Sequence, residues 1–380
     1  MLFRVIVASI LIAAVAPLKA DELQKIPLLP HTAESPRKSE GDFVQLKDGR
    51  ILFVFSKFTG GKSDFDPSYL AGRVSTDAGR TWSSDDVVVL ENEGKMNTMS
   101  VSLNRLADGR IALFYARKNS LQDCRPCVRY SSDEAKTWSA PTPIVPDAEN
   151  GYYVLNNDRV VQLASGRLVV PLAWHDNPIG GKFEARGVLV CYLSDDAGKT
   201  WRRGKGSQNG APAGASADAK RILLQEPGVV ELKNGELLMF ARTSAGSQHF
   251  CRSTDGGETW SVPEPTTLLG PVAPASIERI PSTGDLLCIW NDYTGLPPRD
   301  PKASKRTPLK AALSKDEGRN WTTPSRMLEP DMNGFYCYTA IEFVGDNILL
   351  GYCASDLRTS QTLADTQITR LPVRWLYETK

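Results

Sequence analysis

Five copies of one octet, Ser-x-Asp-x-Gly-x-Thr-Trp or a close variant, are spread almost evenly along this chain of 380 residues. They run from Ser75 to Trp82, Ser131 to Trp138, Ser194 to Trp201, Ser253 to Trp260 and Ser314 to Trp321, with their Asp residues at 77, 133, 196, 255 and 316. Self-similarity at intervals of 56 to 63 residues means repeated supersecondary units. The octet has the chemistry of a reinforced hairpin turn. Its Asp accepts hydrogen bonds from turn N–H groups, its Gly supplies positive φ, and its Trp is expected to pack under the next unit. Such a part is architectural rather than catalytic.

Each octet is preceded by a hairpin pattern: VQLKDGRILFVF from Val44, LNRLADGRIALFY from Leu103, VVQLASGRLVVPL from Val160, VVELKNGELLMF from Val229 and IERIPSTGDLLCIW from Ile277. A sixth, IEFVGDNILLGY from Ile341, has no octet after it. Gly or Asn between β-branched and apolar runs marks a tight strand turn. Six hairpins, five of them with a third strand entering an octet, predict an all-β chain of six four-stranded blades, a six-bladed β-propeller. Two β-sandwiches are the alternative, but a sandwich needs no strict repeat.

Residues 1–20 carry Arg4, an apolar run from Val5 to Ala16 and small residues near Ala20, the pattern of a secretory signal. That run is too short to span a bilayer. A secreted or periplasmic protein without a transmembrane segment is therefore expected, with residues 21–380 forming the propeller at roughly 60 residues per blade. The net charge of +1 gives no reason to expect nucleic acid as a partner. Of seven cysteines, Cys191, Cys251, Cys288, Cys337 and Cys353 lie in or beside apolar strand segments and read as buried thiols. Cys124 and Cys127 form a CxxC that reads as a loop with a local disulfide; with no second ligand pair, no metal is expected there. Arg203 to Arg221, rich in Gly, Ala and Ser, reads as a mobile connection between blades.

Topology sorts the polar residues. Hairpin turns and octets lie away from one face of the disc, so a central site draws on the starts of first strands, the ends of second strands and the loops between strands two and three. First-strand starts offer Glu40, Ser100, Asn157, Asp158, Glu226 and Tyr338. Second-strand ends offer Arg117, His175, Asp176, Arg242, Asn291 and Asp292, and the loops add Asp64, Asp66, Arg125, Arg299 and Arg306. So many charges near one axis are costly unless they pair or bind something.

The octets resemble the Asp boxes of the sialidase (neuraminidase) superfamily, and the resemblance spans nearly the whole chain after residue 20. In QEPGVVELKNGELLMFARTSAG, Glu226 and Arg242 match the Glu that opens a blade and the Arg that ends its second strand. Arg306, with Arg299 as its rival, matches an Arg shortly before a strand entering an Asp box. Tyr338 in FYCYTAIEF matches the segment carrying the nucleophile. The usual Arg-Ile-Pro opening is missing; SPRKSEG offers Arg37, which lies earlier than that motif. The loop TGGKSDFDPSYL offers Asp64 and Asp66 as the acid/base, Asp64 being preferred for its Gly-rich setting and an Asx turn before Pro67 being the competing role.

The resemblance implies an exported, monomeric exo-α-sialidase that needs no cofactor. Three arginines would clamp the sugar carboxylate through planar bidentate bonds. A carboxylate nucleophile would be repelled there, so Tyr338 would attack with Glu226 as its base, and Asp64 would protonate the leaving oxygen. Asn157, Asp158, Arg159, Trp174 and His175 are positioned to contact a glycerol or N-acyl arm. His175 also reads as structural, and Trp174 and Trp290 as core or as sugar-stacking residues. Two other classes stay open: a uronate-directed glycosidase or lyase, and a non-catalytic sugar-binding propeller. A Glu placed beside a phenol argues against the last.

Overall fold

The computed structural model describes residues 23–177, 183–211, 221–297, 305–359 and 362–378. The signal-like segment and Arg299 lie outside them. Within them the chain is almost entirely β, because apolar and β-branched residues alternate over short runs broken by Gly-containing turns.

Each hairpin pattern forms the first two strands of an antiparallel sheet. The first sheet joins Arg37–Gln45, Ile51–Phe58, Ser68–Ser75 and Val87–Leu90, with the octet turn between its third and fourth strands. The sheets beginning at Leu224–Glu231 and Ser276–Arg279 repeat this order. The hairpin units around Ile111–Ser120 and Leu168–His175 fuse into one nine-stranded sheet. Tyr152–Val154 joins them, pairing antiparallel with one and parallel with the other. The last sheet takes Gly334–Val344, Asn347–Asp356 and Thr366–Pro372 from the C-terminal end, and its outer strand is Gln24–Leu29 from the other end of the chain. First and last units thereby close on each other, and their strands share one apolar cluster containing Phe43, Phe53, Leu349 and Ile368. The whole is a β-propeller.

Apolar clusters fill the spaces between successive units, and each octet Trp enters one. Trp82 packs on Phe43 and Phe53 in the cluster shared with the last sheet. Trp138 sits against first-sheet residues, and Trp201, Trp260 and Trp321 likewise reach back. The Trp therefore packs against the preceding unit, not the next one. The sheet twist carries the octet turn over that neighbour: a Cβ on Gly198, at φ +83°, would stand 1.8 Å from the Tyr130 Oη of the unit before. The last sheet has no octet, and Trp375 of the short helix Val373–Leu376 packs on its cluster instead.

Inside the octet, Ser75 Oγ donates to Asp77 Oδ1 (2.9 Å) and accepts the Gly79 N–H (2.9 Å), while Asp77 takes the Thr81 N–H and hydroxyl. The same bonds recur around Asp133, Asp196 and Asp255, and around Asp316 the Asn320 side-chain amide replaces the threonine hydroxyl. Ser75 is 1% exposed, so Ser75→Ala strands a buried N–H. It should lower unfolding stability by about 1–3 kcal/mol, seen as a lower denaturant midpoint at unchanged slope.

Two loop readings are corrected. Cys124 and Cys127 lie in the strand Asp123–Ser131 as buried free thiols. Three strand residues span about 10 Å, beyond disulfide reach, so no local bridge can form. The stretch after Arg203 is tied down through residue 211: Gly204, Gly206 and Gln208 donate N–H bonds to Cys191, Glu258 and Leu189. Residues 212–220 lie outside the described chain. No helix among the described residues is long and apolar enough to cross a membrane.

Candidate functional site

In four first strands the ladder slips by one residue, and the residue at the slip has positive φ: Glu40 (54°), Ser100 (60°), Glu226 (50°) and Tyr338 (57°). A bulge with a non-Gly residue in the left-handed region is strained and re-aims a side chain. All four side chains line one pocket of about 410 Å³ at the start of the first strands. It lies at the end of the axis opposite the hairpin turns. Four units therefore spend backbone strain on a single cavity.

Tyr338 Oη donates to Glu226 Oε1 (3.0 Å), and Arg242 Nη1 donates to Glu226 Oε2 (2.8 Å). Arg306 lies with its Cζ 5.2 Å from the Tyr338 ring centre. Burial pushes the Glu226 carboxyl up, but Arg242 and Arg306 outweigh it and hold the group below its ordinary range. The Tyr338 phenol moves the other way, driven well up by burial and by Glu226 against the pull of the two arginines. Arg306 is 8% exposed, yet among the described residues its Nε and Nη1 have no partner, nor does Nε of Arg242. Buried donors without acceptors are costly, and these three belong to arginines that line the pocket.

Asp64 also lines the pocket, its Oδ1 2.6 Å from Arg37 Nη1. Partial desolvation raises its pKa, but Arg37 more than reverses this and holds the carboxyl below its usual value. Glu40, between Arg37 and Ser100, is pushed up to about 7 by burial despite Arg37. His175 lines the wall with its ring stacked on Phe183 at 5.0 Å. Its Nδ1 faces the Glu184 carbonyl at 2.8 Å and so must donate, leaving Nε2 as an acceptor. Burial lowers its pKa and keeps it neutral.

Other expected residues lie elsewhere. Asp66 accepts the N–H of Ser63, three residues earlier (2.8 Å), while its own N–H returns to the Ser63 carbonyl (3.0 Å); it closes the loop on itself rather than forming the expected Asx turn, and lies outside the pocket wall. Asn157 is fully buried and donates to the carbonyls of Gly41 and Tyr338, fixing backbone. Asp158 and Arg159 face a second cavity at the hairpin-turn end of the axis, with Asp42, Glu278 and Glu342. Trp174 and Trp290 pack on core clusters. Arg37 is 1% exposed and stands behind Asp64.

The residue expected at the end of the second unit's second strand, Arg117, is displaced by its neighbour Lys118, which lines the pocket with Tyr152, Asn156 and Met99. Side chains alternate along a strand, so a register error of one residue selects the wrong face. Glu40, already offered among the first-strand starts, lines the pocket and holds the same offset before its second strand as Glu226. Among the described residues no group of His, Cys, Asp or Glu is placed to hold a metal.

The second cavity has a consequence for stability. Burial raises Asp42, Glu278 and Asp158, with Asp158 adding to the rise of Asp42 and Glu278, and takes Glu342 up to about 7. An acid whose pKa is raised by folding stabilises below its unfolded value, about 4.3 for Glu, and that stability is lost as pH rises through the folded value. The melting temperature should therefore be higher at pH 5.5 than at pH 8. Glu342→Gln should flatten the slope; an unchanged slope would show that this carboxyl does not carry it.

Comparison with known proteins fits this geometry. A family model for a BNR repeat-like domain matches residues 69–349. A sialidase of Micromonospora viridifaciens is 26% identical over 340 residues, covering 80% of this chain and 46% of that protein. The chain thus spans less than half of that relative's length. A Dyadobacter fermentans protein of unknown function superposes with a TM-score of 0.70 at 18% identity, covering 92% of this chain and 99% of that one. Trypanosoma rangeli sialidase, in complex with 2,3-difluorosialic acid as a covalent intermediate, superposes with a TM-score of 0.70 at 14% identity, covering 93% and 59%. At such identities the structural likeness speaks for the fold.

Proposed function

The chain belongs to the BNR repeat-like domain family, and from that premise we propose that it is an exported, monomeric glycoside hydrolase of the sialidase kind. It would be built as a six-bladed propeller with five Asp boxes, releasing terminal sialic acid, or a similar carboxylate-bearing sugar, from glycans with retention. The observation that supports this most is one constellation. A buried phenol is hydrogen-bonded to a carboxylate of lowered pKa, beside two pocket-lining arginines with three buried donors that have no partner among the described residues. Binding alone needs no base beside a phenol.

Arg242 and Arg306 take the sugar carboxylate. Glu226 accepts the Tyr338 proton as the phenol oxygen bonds to the anomeric carbon, and Asp64 gives a proton to the departing oxygen. Water then attacks the glycosyl–tyrosine bond with Asp64 as base, and the phenol recovers its proton from Glu226. A uronate-directed enzyme is the second reading, favoured by the enclosure of Arg37, which leaves two arginines in the pocket lining rather than three. Turnover of fluorogenic sialosides set against uronosides decides between them. Hydrolysis of neither would leave the sugar-binding alternative.

A further inference from the structure

Arg37 is the third cation of the expected clamp, yet it does not reach the pocket wall, where Asp64 and Glu40 stand instead. Its guanidinium is engaged all round. Nε donates to Ser39 Oγ (2.9 Å), Nη1 to the Lys62 carbonyl (3.1 Å) and Asp64 Oδ1 (2.6 Å), and Nη2 to Glu40 Oε1 (3.2 Å). The Phe58 ring centre lies 4.3 Å from Cζ. Ser39 and Glu40 are buried and Lys62 contributes backbone. Asp64 alone is an open side chain, 57% exposed, at the pocket mouth. Its contact, one carboxylate oxygen on a buried guanidinium, is the contact a ligand carboxylate would make.

The main chain at Asp64 is pinned. Its carbonyl accepts from Lys118 Nζ (2.6 Å) and Asn97 Nδ2 (2.9 Å), and Asn97 Nδ2 also reaches the Asp66 carbonyl (2.9 Å). Lys118 is itself 4% exposed, with its Nζ 5.1 Å from the Phe65 ring centre. The carboxylate can therefore leave Arg37 by turning about its own Cα–Cβ bond, with the loop held still.

We propose that Asp64 is a built-in surrogate for the ligand carboxylate: it occupies Arg37 in the free protein, and only a sugar whose own carboxylate takes that place frees Asp64 to face the leaving oxygen. The inference rests on the hydrolase reading above and makes Asp64 a determinant of specificity as well as the acid. Exchanging one carboxylate for another keeps Arg37 paired, so no buried charge is left uncompensated at any stage. Once displaced, Asp64 has a negative neighbour where it had a positive partner. It takes a proton from solvent and passes that proton to the departing oxygen. A neutral sugar of the same shape leaves Asp64 ionised on Arg37 and is not cleaved.

Calorimetry with the glycal of sialic acid, which has no aglycone for an acid to touch, and with its carboxamide tests this on the whole chain. Asp64→Ala and Asp64→Asn should bind the acid about tenfold or more tightly than the wild type, because the internal competitor is gone, and should bind the amide unchanged. The exposed position makes both variants compatible with folding, which their melting curves check. If the wild type prefers the acid to the amide but both variants bind the acid no more tightly, the surrogate idea is overturned and the hydrolase reading stands. An equal gain for the amide also overturns it, since the gain then reflects space. If no form of the protein binds the acid, the hydrolase reading and the inference fail together.

Discussion

Replacing Tyr338 with phenylalanine is expected to leave the propeller folded and to lower turnover of the best substrate by at least about 100-fold, the scale of losing a catalytic group. The substitution removes one oxygen. That oxygen donates to Glu226, and the carboxylate keeps Arg242, so no buried charge is orphaned. The loss should fall on kcat, because the phenol oxygen forms a bond in the transition state, whereas the carboxylate-binding arginines are untouched. A fluorinated sialoside inactivator should label Tyr338 in the wild type and nothing in the variant. Near-normal turnover by the phenylalanine variant would remove the tyrosine nucleophile and leave a lyase or inverting mechanism in its place.

What could be read from the chain beforehand follows from the range of the interactions. The octets were legible because their hydrogen bonds close within five residues, Ser75 to Gly79 and Asp77 to Thr81. Glu226 and Tyr338 were legible because a fixed offset from the hairpin locates the bulge in each unit. The direction in which Trp82 packs was not, since it depends on the twist between neighbouring sheets. Nor was the pairing of Gln24–Leu29 with Thr366–Pro372, because nothing local links residues more than 300 positions apart. The Arg37–Asp64 ion pair hid for a related reason: each residue looked like a separate ligand contact, and only the fold shows that one covers the other. Cys124 was misplaced by strand assignment, and strand parity put Arg117 where Lys118 stands; these are the two decisions that short apolar runs define least.

Arg242→Ala should act on the same site through electrostatics, and its signature differs from that of the tyrosine. The Arg242 and Glu226 side chains are 15% and 10% exposed, and breaking a buried pair by removing one partner costs about 3–5 kcal/mol, so the melting temperature should fall. The kinetic effect has two parts. One of the two pocket-lining arginines is lost, and a hydrogen bond to a charged group contributes about 1.5–3 kcal/mol, which should raise KM for carboxylate-bearing substrates by one to two orders of magnitude, about 1.4 kcal/mol per decade. Glu226 also loses its nearest positive neighbour while burial continues to push it up, so its pKa rises. A base works only when ionised, and activity is lost as pH falls through that pKa. The acid limb of the kcat/KM profile should therefore move to higher pH in the alanine variant. Arg242→Lys restores the charge without the planar fork, so it should return the acid limb toward the wild type while KM stays high. If the acid limb does not move in the alanine variant, Glu226 is not the base, and the bond between Tyr338 and Glu226 is structural.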